Sequence, residues 1–144
     1  MSRDTNQPKV MIVDNVECPI NGERNVLEVA RNNGIDIPSL CYCENLSIYG
    51  GCRICIVEDD KGRIDSACSM KPRNGLQIKT NSPRIQRYRK MILQLMLGSH
   101  RTECTTCDVS GSCKLQEYCR RYDVDMERFS KKYSDMPIDN SSPC

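Results

Sequence analysis

The stretch from residue 41 to residue 55 reads Cys-Tyr-Cys-Glu-Asn-Leu-Ser-Ile-Tyr-Gly-Gly-Cys-Arg-Ile-Cys, and the rest of the chain is organised around it. It places cysteines at 41, 52 and 55, and a further cysteine follows at 68. Gly50 and Gly51 stand directly before Cys52, and glycines let a backbone curl tightly against a bound group. Four thiolates on such a loop suit an iron–sulfur cluster, whose sulfides accept backbone N–H groups. The alternative is a zinc ribbon, but those sites usually use two Cys-x2-Cys pairs, and only one is present here.

Composition limits the size of the core. The chain has 144 residues, 38% of them hydrophobic and 5% aromatic, with no tryptophan. That length allows one ordinary domain or two small ones, and small domains short of core need cross-links or metals. The eleven cysteines can therefore be disulfide partners or metal ligands.

The cellular compartment of the chain decides between these two uses of cysteine. Residues 1–9 are polar and resemble no signal peptide, and no apolar run is long enough for a membrane span. An odd number of cysteines also leaves at least one unpaired in a monomer held by disulfides. We therefore predict a cytoplasmic, reduced, metal-binding chain with no membrane span, rather than a secreted disulfide scaffold. The formal charge of +2 argues neither for nor against nucleic acid as a partner.

The first half of the chain alternates strand and helix patterns. Asn25 and Glu28 have the spacing of a capping box, and Gly34 is placed to end the helix between them. Asp14-Asn15 supplies the turn of a first hairpin, and Pro19 suggests an edge strand. The predicted elements are strands 9–14 and 16–20, a helix over 26–33, and strands 54–58, 63–68 and 76–80. This order predicts an α+β fold, a β-grasp domain of the [2Fe–2S] ferredoxin type over residues 8–80.

A long amphipathic helix is predicted next. Ser82 and Pro83 are suited to its N-cap and first turn, and it extends to about Leu97, with Gly98 to stop it. The expected apolar face is formed by Ile85, Tyr88, Ile92, Leu95 and Met96. The basic side chains Arg84, Arg87, Arg89 and Lys90 are expected on the other side, as a solvated face or as a docking patch for an acidic partner.

A second group of potential ligands follows, formed by His100, Cys104, Cys107 and Cys113. Spacing alone fits either zinc or a [4Fe–4S] cluster. Cys119 is an alternative fourth ligand, but it lies on the same predicted helix as Cys113, which runs to about Arg121 behind Ser112 as cap. At ~100° per residue the two side chains point about 120° apart, so His100 is preferred. Cys18, Cys43, Cys119 and Cys144 are assigned to ordinary packing. Residues 82–130 form the second domain in this interpretation, mostly helical, and 131–144 an irregular tail.

The two motifs together resemble a known region. Cys41-Tyr-x3-Leu-Ser-x2-Gly-x-Cys52-Arg-x-Cys55-x-Val-Glu and His100-x3-Cys104-x2-Cys107-x5-Cys113-x-Leu-Gln are similar to the N-terminal electron-transfer region of several large oxidoreductases. These are the large iron–sulfur subunit of respiratory complex I, [FeFe]-hydrogenases, the diaphorase part of NAD-reducing hydrogenases and NAD-linked formate dehydrogenases. The resemblance covers about residues 9–120.

The resemblance implies two cofactors and a function. It implies one [2Fe–2S] cluster on Cys41, Cys52, Cys55 and Cys68, and one [4Fe–4S] cluster on His100, Cys104, Cys107 and Cys113. The expected function is a relay of single electrons within a larger oxidoreductase complex, with no catalysis by the chain itself. The expected partners are a flavin-bearing, NADH-oxidising iron–sulfur subunit and a catalytic hydrogenase or formate dehydrogenase subunit, with no nucleic acid. The alternative functions are a zinc-binding interaction module and a thiol–disulfide enzyme acting through Cys52 and Cys55.

Overall fold

The computed structural model of the protein describes residues 9–126. Five strands form one sheet in the order β2-β1-β5-β3-β4, and three α-helices and a short 3-10 helix accompany it. The elements are β1 Val10–Val13, β2 Val16–Pro19, α1 Val26–Asn32, β3 Ile56–Asp59, β4 Ile64–Ser66, β5 Gln77–Lys79, α2 Pro83–Gly98, the 3-10 helix Cys104–Thr106 and α3 Lys114–Arg121. The predicted α+β class is confirmed, while the predicted tail at 131–144 lies outside the described residues.

The sheet is mixed, as a β-grasp requires. The β1–β2 hairpin turns through Asp14 and Asn15, both in the left-handed region at φ 49° and 68°, which matches the twist of the flanking strands. β2 is an edge strand, as Pro19 predicts. β5 pairs in parallel with β1 and antiparallel with β3, so a segment far along the chain closes the sheet between the two hairpins.

Helix α1 begins and ends where the sequence places its caps. The side chain of Asn25 accepts a hydrogen bond from the Glu28 N–H at 3.0 Å, and Gly34 adopts φ 75° just after the helix. One face of α1 is fully buried against the sheet. That face and the strands it covers form the first core, whose members include Met11, Val13, Val26, Leu27, Val29, Ala30, Val57 and Ile78.

Helix α2 differs from its prediction in the face that it buries. The buried side chains are Ile85, Arg89, Leu93 and Leu97, spaced by four, whereas Leu95 is 72% exposed. The predicted stripe is confirmed at Ile85 but is wrong by about one position from Tyr88 onward, and Arg89 was wrongly placed among solvated cations. Arg84 and Arg87 are exposed as predicted. The helix also continues through Gly98, with Ser99 as its C-cap.

A second core joins α2 and α3 to the cysteine-rich loop. It contains Ile54 from that loop together with Leu93, Leu97, Tyr118, Cys119, Tyr122 and Val124. Cys113, rather than Ser112, occupies the N-cap position of α3, because the Ser112 hydroxyl donates to the Val109 carbonyl 3.3 Å away within the preceding turn. Within residues 9–126, none of the helices combines the length and the apolar character that crossing a bilayer needs.

The first core predicts a large packing effect at Leu27. This side chain is fully buried between α1 and the sheet, so Leu27→Ala removes apolar contacts and leaves a cavity. We expect a loss of about 2–5 kcal/mol in the free energy of unfolding, measured by urea denaturation of the full chain under anaerobic conditions. Leu95→Ala, at a side chain that is 72% exposed, is the matched control and should change stability by less than about 0.5 kcal/mol. Equal losses at both positions would contradict the core described here.

Candidate iron–sulfur sites

The loop between α1 and β3 brings Cys41 and Cys52 together. The backbone N–H of Cys52 donates to the Cys41 Sγ at 3.4 Å, and both residues are partly exposed. Gly50 adopts φ 68° on the approach to Cys52, a conformation that favours glycine. Arg53 adopts φ 54°, which is uncommon for a residue with a Cβ. These two left-handed residues wind the backbone around the thiol pair.

Cys55 and Cys68 form a second pair on the buried side of the loop, each 1% exposed. The Cys55 carbonyl accepts a hydrogen bond from the Ala67 N–H at 3.0 Å, which places Cys68 beside Cys55. Burial is the main reason that the pKa of the Cys55 thiol rises to about 12, and the neighbouring Cys68 thiol raises it further. The protonated thiols must lose their protons when a metal binds, so binding here releases protons.

The pKa of the Cys52 thiol is shifted in the opposite direction from that of Cys55. Burial acts to raise the pKa of its thiol, but hydrogen bonds with the backbone of Ile54 and Leu40 and with Cys41 outweigh burial, and the pKa is lowered. Hydrogen bonds that lower a thiol pKa are those that stabilise the thiolate, which is the form that ligates metal. The loop backbone therefore already favours the ligating form of Cys52.

The donor set fits a two-iron cluster better than a single ion. Among residues 9–126, no group of three or more histidine, cysteine or carboxylate side chains is arranged to hold a metal ion. A lone zinc draws sulfurs to about 2.3 Å from one point, whereas a [2Fe–2S] cluster divides four thiolates between two irons. The loop and the turn after β4 together present the thiols as two pairs, Cys41 with Cys52 and Cys55 with Cys68, which is the arrangement that two irons need.

Two side chains of the loop, Tyr42 and Arg53, tie it to elements outside it. The Tyr42 hydroxyl donates to the carboxylate of Glu28 and accepts from Asn25 Nδ2 at 3.2 Å, so the residue after Cys41 is tied to the start of α1. Arg53 Nη1 donates to Ser66 Oγ at 3.1 Å, which ties the middle of the loop to β4. These contacts hold the cysteine pairs on the rigid part of the fold.

The second group of predicted ligands is more exposed than the first. Cys104 starts the 3-10 helix, Cys107 follows it with its N–H donating to the Cys104 carbonyl at 3.4 Å, and Cys113 caps α3. His100 is exposed just after α2, and its N–H donates to the Leu97 carbonyl. Cys104 and Cys113 both lie near enough to Cys119 to raise the pKa of its thiol. Among residues 9–126, His100 does not belong to a group of three or more side chains arranged to hold a metal ion.

Cys119 differs from the predicted ligands in its surroundings. It is fully buried in the second core, and burial, followed by the nearby Cys113 and Cys104, raises the pKa of its thiol. An apolar pocket disfavours the thiolate. The four predicted ligands are partly or fully exposed, and they lie between the end of α2 and the start of α3: His100, Cys104, Cys107 and Cys113. Three sulfurs and one imidazole can ligate a cluster. Within residues 9–126, these four side chains are not arranged around a single point as one metal ion would require.

Four residues that connect the two sites were not found from the sequence. The Tyr118 hydroxyl on α3 accepts from the Ser39 N–H at 3.3 Å and also donates to the Ser39 carbonyl at 3.4 Å, two residues before Cys41. Arg89 on α2 donates to Tyr122 and to the loop backbone. A signal for Arg89 was available, because it lies four residues from both Ile85 and Leu93 and so on the buried stripe.

Two family models match this chain, in the same order as the two sites. Residues 10–83 match the model described as a 2Fe-2S iron-sulfur cluster binding domain. Residues 89–128 match the model of the NADH-ubiquinone oxidoreductase-G iron-sulfur binding region. The first match covers half of the chain, so the chain belongs to the 2Fe-2S iron-sulfur cluster binding domain family. The cofactor prediction of one [2Fe–2S] and one [4Fe–4S] cluster is supported by the pair of matches.

Particular relatives carry both regions. The chain is 31% identical over 131 residues to the mitochondrial NADH-ubiquinone oxidoreductase 78 kDa subunit of Candida albicans, covering 90% of this chain and 18% of that protein. It is 33% identical over 141 residues to the NADPH-Fe(3+) oxidoreductase subunit alpha of Geobacter sulfurreducens, covering 92% and 17%. A crystal structure of an NAD+-reducing [NiFe]-hydrogenase in the H2-reduced state aligns at TM-score 0.80 and 30% identity, over 94% of this chain and 57% of that one. The chain thus spans less than a fifth of the length of these two curated relatives, at 18% and 17%.

Proposed function

We propose that this chain relays single electrons between two iron–sulfur clusters inside a larger oxidoreductase complex. The observation that carries the proposal is the pair of cysteine groups, each matched by its own iron–sulfur family model and both attached to one buried core. The relatives named above are subunits of an NADH and an NADPH oxidoreductase, and the aligned structure is a hydrogenase. An electron-transfer component is the common element among them.

The ligand assignment follows from the sites. Cys41, Cys52, Cys55 and Cys68 would hold the [2Fe–2S] cluster, and His100, Cys104, Cys107 and Cys113 would hold the [4Fe–4S] cluster. Bound clusters supply reversible one-electron transfer. The chain's own residues keep the thiols in pairs, direct backbone N–H groups toward the sulfurs, and exclude water from Cys55 and Cys68. Burial and hydrogen bonding of this kind set reduction potentials.

The wider setting is proposed on the same basis. The chain would perform no bond-making chemistry alone and would work in the cytoplasm. Its partners would be a flavin-bearing, NADH-oxidising iron–sulfur subunit on one side and a catalytic hydrogenase or formate dehydrogenase subunit on the other. The hydrogenase is supported by the structural alignment, and the NAD(P)H side by the two named relatives.

Iron and sulfide analysis tests the proposal directly. The full chain, purified without oxygen, should contain about six irons per chain with matching acid-labile sulfide. Reduction with dithionite should produce two distinguishable EPR signals, one for each cluster. Colourless protein that binds zinc would favour an interaction module instead. Iron-free protein that titrates as a dithiol would favour a thiol–disulfide enzyme.

A further inference from the structure

Arg89 is a buried cation whose hydrogen-bonding partners are all neutral. Its side chain is only 1% exposed. Nε donates to the Ile54 carbonyl at 3.1 Å, Nη2 donates to the Ile56 carbonyl at 2.7 Å, and Nη1 donates to the Tyr122 hydroxyl at 3.0 Å. The guanidinium also lies 5.7 Å from the centre of the Tyr122 ring. The two carbonyls belong to the residues on either side of Cys55. Arg89 is therefore hydrogen-bonded to the backbone on both sides of this ligand of the first site.

The charge of Arg89 has no carboxylate partner in the part of the chain that the structure describes. Exposed arginines form ion pairs, for example Arg63 with Asp59 and Arg84 with Glu58, but none of the ion pairs in residues 9–126 includes the buried Arg89. Burial lowers the pKa of its guanidinium, yet arginine starts above 12 and remains charged at neutral pH. Leaving a buried charge without a counter-charge is costly, so an anion nearby is expected.

Cys55 is where such an anion would lie. Cys55 lies between the two residues whose carbonyls accept from Arg89, at 3.1 and 2.7 Å, so a thiolate at Cys55 lies beside the guanidinium and stabilises its charge. Four thiolates bound to iron carry a net negative charge, and reduction adds one more electron. A fixed cation beside the site therefore favours the reduced state over the oxidised one.

We propose that Arg89 is the internal counter-ion of the first iron–sulfur site and raises the reduction potential of the cluster held there. This role rests on the ligand assignment of the proposed function, and Arg89 acts through Cys55 without touching the metal. The competing role is purely structural, in which the three hydrogen bonds clamp the loop and the charge itself has no effect. The two roles differ in their consequence for the potential.

Two substitutions at Arg89 separate charge from shape. Arg89→Gln keeps an N–H donor for the loop carbonyls and removes the charge, whereas Arg89→Lys keeps the charge and loses the planar fork. Arg87→Gln is the matched control, because Arg87 lies on the same helix, loses the same charge and is exposed. The [2Fe–2S] midpoint potential of each full-length variant is measured by anaerobic redox titration followed by EPR, with the second signal as a check that the sample is intact.

The expected result is a lower midpoint in Arg89→Gln. The equilibrium constant for reduction of the cluster should fall at least tenfold in Arg89→Gln, which lowers the midpoint potential by about 59 mV for one electron. The midpoint of Arg89→Lys should stay closer to that of the wild type, and that of Arg87→Gln should be unchanged. A midpoint in Arg89→Gln equal to that of Arg87→Gln would overturn the proposal. So would an equally low midpoint in Arg89→Lys, because then the hydrogen-bond geometry and not the charge is responsible.

Loss of the cluster is also informative. If Arg89→Gln loses the [2Fe–2S] signal while Arg89→Lys retains it, the site needs the positive charge that Lys shares with Arg and not the planar fork, and the counter-ion role is supported. If both lose it, Arg89 is a structural clamp and the proposal fails. Failure of the proposed function would appear differently, as wild-type protein that carries no iron or lacks one of the two signals.

Discussion

Cys55→Ser will leave the chain with about four irons instead of about six and will abolish the [2Fe–2S] EPR signal while the [4Fe–4S] signal persists. Cys55 is 1% exposed, its thiol contacts that of Cys68, and its backbone carbonyl is bonded to Ala67. A buried serine oxygen at this place is a poorer ligand for iron than a thiolate, so the cluster is not held. The measurement is anaerobic iron and sulfide analysis together with EPR of the dithionite-reduced chain.

Cys43→Ser is the matched control for that substitution. Cys43 lies in the same loop two residues after Cys41, but it is exposed, and the structure does not pair it with another of the described cysteines. The control should keep about six irons and both signals. If Cys43→Ser removed the two-iron signal and Cys55→Ser did not, the assignment of the four ligands would be incorrect.

The second site will be identified by comparing His100 with Cys119. We expect His100→Ala to lose the [4Fe–4S] signal and to fall to about two irons, because the site is left with three ligands. Cys119→Ala should retain the signal, since its thiol is buried among apolar side chains that disfavour the thiolate. Its cost should be one of packing, about 1–2 kcal/mol in the free energy of unfolding. The reverse pattern would make Cys119 the fourth ligand.

His100→Cys offers a rescue of the same position. A cysteine can ligate iron in place of the imidazole, so the four-iron signal should return. The thiolate adds a negative charge that opposes reduction, and its midpoint should therefore lie below that of the wild type. A midpoint equal to or above the wild-type value would contradict ligation by His100. Redox titration of the EPR signal provides the value.

Local rules predicted the sheet domain well because its signals are local. The left-handed turn at Asp14 and Asn15, the cap at Asn25 and the helix end at Gly34 each depend on residues within a few positions. The ferredoxin-like order followed from those elements and from the spacing of the cysteines. The pairing of cysteines within the first site could not be read from the sequence, because it depends on where β4 returns beside the loop.

The helical region was predicted less well because its polar residues are satisfied at long range. Arg89 counts as solvated by composition, yet its partners are carbonyls 35 and 33 residues earlier in the chain. Once it is placed inside, the whole buried stripe of α2 rotates, which explains why Leu95 is exposed. Ser112 was wrongly predicted as a cap for a different, local reason, because its hydroxyl donates to the Val109 carbonyl three residues earlier. A sequence pattern does not show which backbone group a polar side chain will bond, so the positions of such side chains are predicted poorly.

The bond between Tyr118 and Ser39 spans 79 residues, and it has a consequence for biosynthesis. The ribosome exports the cysteine loop long before it makes the helix whose tyrosine fastens the start of that loop. The nascent loop therefore lacks one of its fastenings until nearly all of the described chain has emerged. The start of the cysteine loop can therefore take up its final position only after α3 has been synthesised.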